Sequence, residues 1–507
     1  MLVYYQIKNK ASNLTSGGET ERIVLYGLGL SKDWFQKTAL DIQNGTYEFK
    51  MNRKTYIPKK SNNNNFRPLI INNPTEKIIQ KAIFLVLEEI YENKEKSFSR
   101  FSHGFHLNKS YHTAFEQIKN EWTAIPWFVK IDIKNVFGVI NRNILISKLK
   151  LKIKDQRLFQ IILNMFKAKI ISPFGILKEK LGVPQNSVLS LILANIYFQS
   201  LDSYIEKNII ERYNKCKKAP KLNLRHSKID DSYIRIKYIR YVDDILIGVK
   251  GPKKLAEKVL KIVTFFLKSD LQLFLNEKKS QILNAFSSRI SFLGMLLYNV
   301  ATKKVFFRKS PVIENNKRKH SRIIPCINAL NHKQTKFFKN ECLILLCKSY
   351  VDQRDKHRVY LGFSIQIKAD TDEIYNCLIE NSIINSKKKP ISKTSLFQLE
   401  AWLIIRYYNS VAYGLLYYFR GVDNFNTVKK IITYYIRYSL LRTLAHKHKC
   451  SSKKILAIYG KKISAKGRNE KKISFISSVE ISNIKKKFLV KDIKDPYAVI
   501  SIPFISL

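Results

Sequence analysis

A length of 507 residues with 45% hydrophobic side chains is enough to bury the cores of two or three domains. Lys and Arg number 91 against 39 Asp and Glu, and the resulting net charge of +52 indicates a polyanionic partner, with a generally basic surface as the alternative. No apolar run approaches the roughly 18 residues of a membrane-spanning helix, and the six cysteines form no CxxC pair, which argues against a membrane protein, a zinc ribbon and a disulfide scaffold.

The first 372 residues show three kinds of pattern. Residues 1–50 combine a polar loop with one amphipathic stretch and predict an N-terminal extension that packs on the next domain. Residues 51–300 alternate short β-like runs with helical stretches, and this alternation is typical of an α+β or α/β domain. Residues 301–372 are strongly basic, and we interpret them as a linker region with some helix.

After Thr394 the pattern changes to long helical periods. Apolar residues from Leu399 to Leu415 line one predicted helix, and those from Val428 to Leu440 line another. Lys and Arg residues lie off the apolar stripe of the second helix. Residues 373–462 therefore predict an all-helical basic domain, and residues 463–507 a C-terminal tail.

Two adjacent aspartates, Asp243 and Asp244, interrupt an apolar and aromatic run from Ile234 to Lys250 that we interpret as a strand, a tight turn and a returning strand. An unpaired carboxylate buried there would cost several kcal/mol, and bound divalent cations would remove that cost. Another pair of aspartates, Asp230 and Asp231, lies in a polar stretch and needs no such explanation.

A single acid, Asp132, lies near the end of a β-like run, and adjacent strands could bring it opposite Asp243. Phosphoryl transfer by two metals requires carboxylates that bridge two Mg²⁺ ions about 3.5 to 4 Å apart. Asp132, Asp243 and Asp244 therefore predict a catalytic site for two Mg²⁺ ions. The alternative is that Asp132 only caps a turn. Phe137 could contact the sugar of an incoming nucleotide, although an isolated aromatic is more often part of a core.

The order of these motifs resembles that of the reverse transcriptases encoded by group II introns, of the type found in organelles. The matching segments are Tyr56-Ile57-Pro58-Lys59, Arg67-Pro68-Leu69, Ser102-His103-Gly104-Phe105, Asp132 with Phe137, Leu181-Gly182-Val183-Pro184-Gln185, Arg240 to Asp244, Leu275-Asn276 with Lys279-Ser280, and Phe292-Leu293-Gly294. The resemblance implies an α+β right-hand polymerase, with fingers and palm followed by an all-helical thumb.

The resemblance also implies roles for single residues. Lys59 and Arg67 would grip the triphosphate, for which their charge-assisted donors are suited. Without the resemblance they would be ordinary surface charges. Phe137 would exclude a 2′-hydroxyl, and Gln185 would lie under the nascent base pair. Residues 292–294 would form the primer grip.

The helical C-terminal domain is similar to domain X, the thumb of these proteins, which binds intron RNA and supports splicing. Its basic helix with interleaved aromatics suits phosphate contacts and base stacking. The residues expected to contact RNA are Lys429, Lys430, Arg437, Arg442, His446, Lys447 and Lys449. His446 and His448 could instead form part of a metal site, but the sequence offers no third ligand nearby.

Several positions depart from the family pattern. The chain has Asn186 where Gly is usual, and Val188 and Leu191 where Pro is usual. These departures bear on polymerase efficiency more than on metal binding. We therefore expect either a maturase that also copies RNA into DNA, or a splicing-only maturase with a weakened polymerase site.

The expected partners are group II intron RNA, a DNA primer or cDNA, and dNTPs, without a membrane. Abundant Lys, Asn, Ile, Tyr and Phe have A/T-rich codons and suggest synthesis in a mitochondrion or plastid. No HNH pattern occurs after Cys450, so we expect this chain to lack the endonuclease of many relatives.

Overall fold

The structure is a computed structural model that describes residues 30–59, 62–92, 98–122, 125–173, 175–177, 181–184, 187–214, 234–301, 306–309, 357–360, 363–467, 470 and 472–486. The described residues form two units. The first comprises those within 1–110, 129–217 and 232–282, and the second those within 111–128 and 283–507.

Fifteen strands and fifteen α-helices are described. The strands are β1 (Asn52–Lys59), β2 (Asn62–Ile71), β3 (Trp127–Ile131), β4 (Ile170–Ser172), β5 (Gly175–Leu177), β6 (Arg235–Tyr241), β7 (Asp244–Lys250), β8 (Gln281–Asn284), β9 (Ile290–Phe292), β10 (Met295–Ala301), β11 (Phe306–Lys309), β12 (His357–Tyr360), β13 (Phe363–Ala369), β14 (Ser464–Lys466) and β15 (Lys472–Ser474). The helices are α1 (Lys32–Gln43), α2 (Pro74–Tyr91), α3 (Tyr111–Glu121), α4 (Val136–Val139), α5 (Arg142–Lys150), α6 (Gln156–Lys167), α7 (Val188–Tyr204), α8 (Glu211–Asn214), α9 (Lys253–Ser269), α10 (Thr371–Glu380), α11 (Ala401–Tyr418), α12 (Phe425–Lys430), α13 (Arg437–Lys447), α14 (Ser452–Tyr459) and α15 (Ser478–Lys486). Two π-helical segments, Ile205–Ile210 and Ile431–Ile436, and a short 3₁₀-helix, Thr394–Leu396, complete them.

The first unit is built around helix α7, which is apolar on nearly all sides. Its side chains Leu189, Leu193, Phe198 and Leu201 are buried, as expected for a helix in the middle of a core. Ser187 caps its first turn by accepting a hydrogen bond from the N–H of Leu189. Helix α2 packs against α7.

Two four-stranded sheets accompany these helices. Strands β1 and β2 form an antiparallel hairpin in a sheet of order β2-β1-β4-β5, in which β1 and β4 are parallel. The other sheet has the order β6-β7-β3-β8, and the boundary between the units falls within β3 and β8. Strand β7 is apolar from Ile245 to Val249, whereas β6 interleaves apolar and basic residues, and Ile236, Ile239, Leu246 and Ile247 are fully buried.

The second unit combines a small sheet with a helical bundle. Strand β10 pairs with β9 and with β13, both antiparallel. Helix α11 packs against α12 and α13, and their apolar side chains, including Ile404, Tyr408, Val428 and Leu440, form the core. Helix α12, the π-helical segment and α13 follow one another without a break from Phe425 to Lys447.

The mixed α+β class and the helical C-terminal region are confirmed by the structure. The described parts of the predicted linker, residues 301–372, are mainly the strands β11, β12 and β13. Strand β13 pairs with β10 and so belongs to the sheet of the second unit. Within the described part of the predicted tail, strands β14 and β15 pair antiparallel, and both strands and helix α15 pack on α11. No helix among the described residues has the length and apolar character needed to cross a membrane.

Candidate active site and nucleic-acid surface

The two central aspartates lie at the tip of a buried hairpin. Strands β6 and β7 pair antiparallel in register from Arg235 with Lys250 to Tyr241 with Asp244, which leaves Val242 and Asp243 as the turn. Val242 has a φ of 57°, a left-handed conformation that β-branched residues rarely adopt and that costs about 1 to 3 kcal/mol. The sequence signal for a strand, turn and strand is thus borne out, with backbone strain at the turn.

Asp132 is held in place by the loop that contains Asn276 and Ser280, two residues of the matching motifs. Its carboxylate Oδ2 accepts a hydrogen bond of 2.9 Å from Asn276 Nδ2. Its backbone N–H donates to Ser280 Oγ over 3.1 Å, and its carbonyl accepts from the N–H of Asn276 over 2.8 Å. Strand β3, which ends just before Asp132, neighbours β7, which begins with Asp244. Because the charges of Asp243 and Asp132 both act on the Asp244 carboxyl, the three aspartates lie near one another.

The electrostatics of Asp244 show that the carboxylates interact. Burial, then the negative charges of Asp243 and Asp132, raise the pKa of Asp244 to about 7, against an opposing effect of Lys130 and Lys279. Part of its surface remains exposed, but its carboxyl group is desolvated. Two lysines do not neutralise the site, so added positive charge there would be stabilising.

Within the described part of the chain, no three His, Cys, Asp or Glu side chains converge tightly enough to form a ready-made metal cluster. The donor chemistry of the three aspartates nevertheless fits Mg²⁺, which prefers carboxylate oxygens. The mutual repulsion that raises the pKa of Asp244 is also the condition that a divalent cation relieves. The residues present therefore fit the expected cofactor in chemistry.

A fully buried ion pair, Arg240 with Asp202, supports the turn that carries Asp243. Arg240 donates from Nε and Nη2 to the two carboxylate oxygens of Asp202, over 2.8 and 2.7 Å. Its Nη1 donates to the carbonyl of Val242 over 2.9 Å and to Asn195 Oδ1 over 3.0 Å. Tyr238 donates its hydroxyl to the same Asp202 over 2.7 Å. One guanidinium therefore ties the strained turn to helix α7.

The Ser102 to Phe105 segment packs against the same turn. The Ser102 side chain accepts from Arg240 Nη2 over 2.8 Å. A Cβ on Gly104 would lie 2.7 Å from the backbone nitrogen of Val242, so only glycine fits. Asn195 Nδ2 donates to the Gly104 carbonyl over 2.8 Å. This segment thus helps to position the turn that carries Asp243.

The expected sugar gate, Phe137, lies next to the segment from Leu181 to Pro184. The N–H of Val183 donates to the Phe137 carbonyl over 2.7 Å, and Phe137 is half-buried. Gly182 has a φ of +79°, and a Cβ there would lie 2.5 Å from that carbonyl. Gln185 and Asn186 lie outside the described residues.

The expected triphosphate ligands are on the β1–β2 hairpin. Lys59 is the last residue of β1, and Arg67 lies in β2 opposite Ile57. Their side chains lie outside the described part of the structure. Their assignment to the triphosphate stays a prediction.

In the second unit, the expected primer grip is a tight turn between β9 and β10. Leu293 and Gly294 both have positive φ, 46° and 66°. The Tyr418 hydroxyl at the end of α11 donates to the Leu293 carbonyl over 2.7 Å. The helical domain therefore holds this turn directly, which no sequence signal indicated.

The residues expected to contact RNA fall into two groups. Lys429, Arg437 and Lys447 are half-buried and donate hydrogen bonds within the second unit, to Ser482 Oγ and to the carbonyls of Lys461 and Phe397. The other four are exposed: Lys430, Arg442, His446 and Lys449. Of these, Arg442 donates to the Pro390 carbonyl over 2.5 Å, and His446 Nδ1 is paired with Ser392 Oγ over 3.0 Å.

Comparison with known proteins agrees with this geometry. Residues 57–297 match the family of reverse transcriptases (RNA-dependent DNA polymerases), and residues 363–502 match the type II intron maturase family. The putative COX1/OXI3 intron 2 protein of Saccharomyces cerevisiae is 30% identical over 495 residues, which is 91% of this chain and 52% of that protein. The chain combines a reverse transcriptase domain with a type II intron maturase domain. The resemblance inferred from the motifs is thereby confirmed.

Two further proteins are similar to this chain over most of its length. The group II intron-encoded protein LtrA of Lactococcus lactis is 28% identical over 85% of this chain and 70% of its own length. An uncharacterized mitochondrial protein, ymf11, of Marchantia polymorpha is 24% identical over 76% of this chain and 55% of its own length. The chain spans about half the length of the yeast relative.

Proposed function

We propose that the protein binds a group II intron RNA to promote its splicing, and that it also copies RNA into cDNA. The observation that carries the polymerase half is the strained, buried hairpin that presents Asp243 and Asp244 beside Asp132. Three carboxylates that repel one another in a partly buried site destabilise the fold, and a bound cation would remove that repulsion.

In this proposal, Asp132, Asp243 and Asp244 would hold two Mg²⁺ ions. When bound, the ions would activate the primer 3′-hydroxyl and stabilise the leaving pyrophosphate. Asn276 and Ser280 orient Asp132, and Arg240 fixes the turn that carries Asp243. Substrates would be dNTPs, a DNA primer and an RNA template.

Intron binding is supported by the match to the maturase family over residues 363–502 and by the net charge of +52. Synthesis in an organelle is supported by the A/T-rich codon usage that the composition implies and by the mitochondrial relative.

The deciding experiment is primer extension by the full chain on an RNA template with Mg²⁺ and dNTPs. We expect cDNA from the wild type, none from Asp243→Asn, and nearly unchanged intron binding by that variant. Asp231→Asn, from the aspartate pair in a polar stretch, is the matched control and should extend normally. If the wild type binds intron RNA tightly and yields no cDNA, the splicing-only alternative is correct.

A further inference from the structure

One face of the long helix from Phe425 to Lys447 is exposed in a regular pattern. Every fourth residue along it is exposed: Asn426, Lys430, Tyr434, Tyr438, Arg442 and His446. We call these six residues the exposed line. The residues halfway between them are buried in the core of the second unit: Val428, Ile432, Ile436, Leu440 and Leu444.

A π-helical segment keeps the exposed line on one side of the helix. In an α-helix, a spacing of four residues advances about 40° beyond a full turn, so a line of six residues would spiral around it. Residues Ile431–Ile436 are π-helical and wind more slowly, because their hydrogen bonds span five residues. The slower winding offsets the drift and keeps Lys430, Tyr434 and Tyr438 aligned.

The composition of the exposed line is unusual for a solvated surface. Its centre consists of two tyrosines, Tyr434 and Tyr438, that are 51% and 43% exposed and whose ring centroids lie 5.2 Å apart. Lys430 and Arg442 flank them, and the line contains no acidic residue. Between Lys430 and Arg442 the helix extends about 18 Å. Exposed aromatic side chains grouped between cations indicate a binding surface.

We propose that the exposed line binds an unpaired segment of RNA, with bases stacked on Tyr434 and Tyr438 and phosphates on Lys430 and Arg442. This inference rests on the proposed RNA-binding function and specifies the form of RNA that the helical domain recognises. Because the two residues that flank the tyrosines, Lys430 and Arg442, are both cationic, they favour a polyanionic partner. The tyrosine faces select bases that are not already stacked, which a continuous duplex does not offer.

The same geometry separates this surface from the rest of the predicted RNA-binding set. Arg442 of the exposed line is exposed, although it donates one hydrogen bond to the Pro390 carbonyl. Lys429 and Arg437 are instead half-buried and donate to Ser482 and to the Lys461 carbonyl, and so contribute to the packing of the domain. Substituting them would alter stability as well as binding. The two tyrosines of the exposed line were absent from that predicted set, because it contained only Lys, Arg and His side chains.

The test measures fluorescence anisotropy of the full chain with three labelled probes: a short oligouridylate, the matching DNA oligonucleotide and a blunt RNA duplex of the same length. Tyr434→Ala/Tyr438→Ala should weaken oligouridylate binding about tenfold or more and change duplex binding less than about twofold. Tyr434→Phe/Tyr438→Phe should bind the oligouridylate about as tightly as the wild type, because both aromatic rings remain. Lys430→Gln/Arg442→Gln should reduce the salt slope of oligouridylate binding by about 1.4, or about 0.7 for each lost contact.

Tyr417→Ala is the matched control, because Tyr417 is 45% exposed and its ring stacks on Tyr413 on helix α11. An equal loss in this control, an equal loss of duplex binding, or unchanged oligouridylate binding by the double alanine variant would overturn the proposal. Preference for the DNA probe would overturn the assignment to RNA. A wild type that binds no RNA probe and no intron would instead overturn the proposed function itself.

Discussion

The buried pair of Arg240 and Asp202 gives the sharpest prediction about the active site. Both side chains are essentially inaccessible, at 0% and 1% exposure, and Arg240 also donates to the Val242 carbonyl in the turn that carries Asp243. Arg240→Met keeps an unbranched apolar side chain but removes every donor. It therefore perturbs both the stability of the fold and the position of the turn.

The two effects have different magnitudes. In Arg240→Met, Asp202 would still accept the hydrogen bond from the Tyr238 hydroxyl but would lose its buried cation. This loss should lower the unfolding free energy by about 3 to 5 kcal/mol. The lost hydrogen bond to Val242 is worth about 1.5 to 3 kcal/mol, similar to the strain of about 1 to 3 kcal/mol at its positive φ. The turn should therefore relax, and a displacement of about 1 Å at a reacting centre can lower the rate about 100-fold.

A second substitution separates these effects. Asp202→Asn removes the charge but keeps an oxygen for Tyr238, so Arg240→Met/Asp202→Asn should recover most of the stability that Arg240→Met loses. Primer extension by the double variant should stay at least about tenfold below wild type, because nothing holds the Val242 carbonyl. Urea denaturation and single-turnover extension over a Mg²⁺ titration measure the two quantities.

Two results would refute this reasoning. If Arg240→Met lowers the unfolding free energy by less than about 1 kcal/mol, the pair is not the buried ion pair that its exposure indicates. If the double variant regains the wild-type extension rate and Mg²⁺ dependence, Arg240 contributes stability alone and does not position the turn.

Three further predictions concern neighbouring groups. Gly104→Ala should lower the unfolding free energy by about 1 to 3 kcal/mol and abolish extension, because the added methyl meets the turn; a normal extension rate would contradict this. Tyr418→Phe should raise the KM for primer and template with little change in kcat, and destabilise by about 1 kcal/mol; an unchanged KM in steady-state extension would count against it. Because the raised pKa of Asp244, about 7 against 3.8, lets the folded protein hold a proton that the unfolded chain releases, metal-free stability should fall as pH rises from about 4 to 7. Asp244→Asn should therefore be more stable than wild type in EDTA at pH 8, by at most about 4 kcal/mol, and urea midpoints that are equal at pH 5 and 8 for both proteins would refute this.

The features that local pattern controls were predictable from the sequence. The hairpin that carries Asp243 and Asp244 consists of two runs rich in apolar and aromatic residues, and strands β6 and β7 follow those runs closely. The strand before Asp132 and the long helices after residue 394 have the same local origin. The order of motifs identified the family, because each motif is short and contiguous.

The features that depend on distant partners were not predictable. Asp202 pairs with a residue 38 positions later, and Asn276 reaches a carboxylate 144 positions earlier. An acid in an otherwise apolar helix is a signal that Asp202 needs a partner, but not which one. The exposed line depends on a π-helical segment, whose slower winding no period of 3.6 residues describes.

The energetics of the hairpin bear on the choice between an active polymerase and a splicing-only scaffold. A scaffold would be more stable with an asparagine at position 244 and a glycine at position 242, since one relieves charge repulsion and the other relieves a positive φ. The chain retains both costs, together with a buried ion pair that holds the turn in place. Backbone strain at Val242 and charge repulsion at Asp244 therefore occur at the tip of the same hairpin, which several elements hold in place. Such a combination is typical of a functional site. This supports an active polymerase, because splicing through the helical domain requires none of these features.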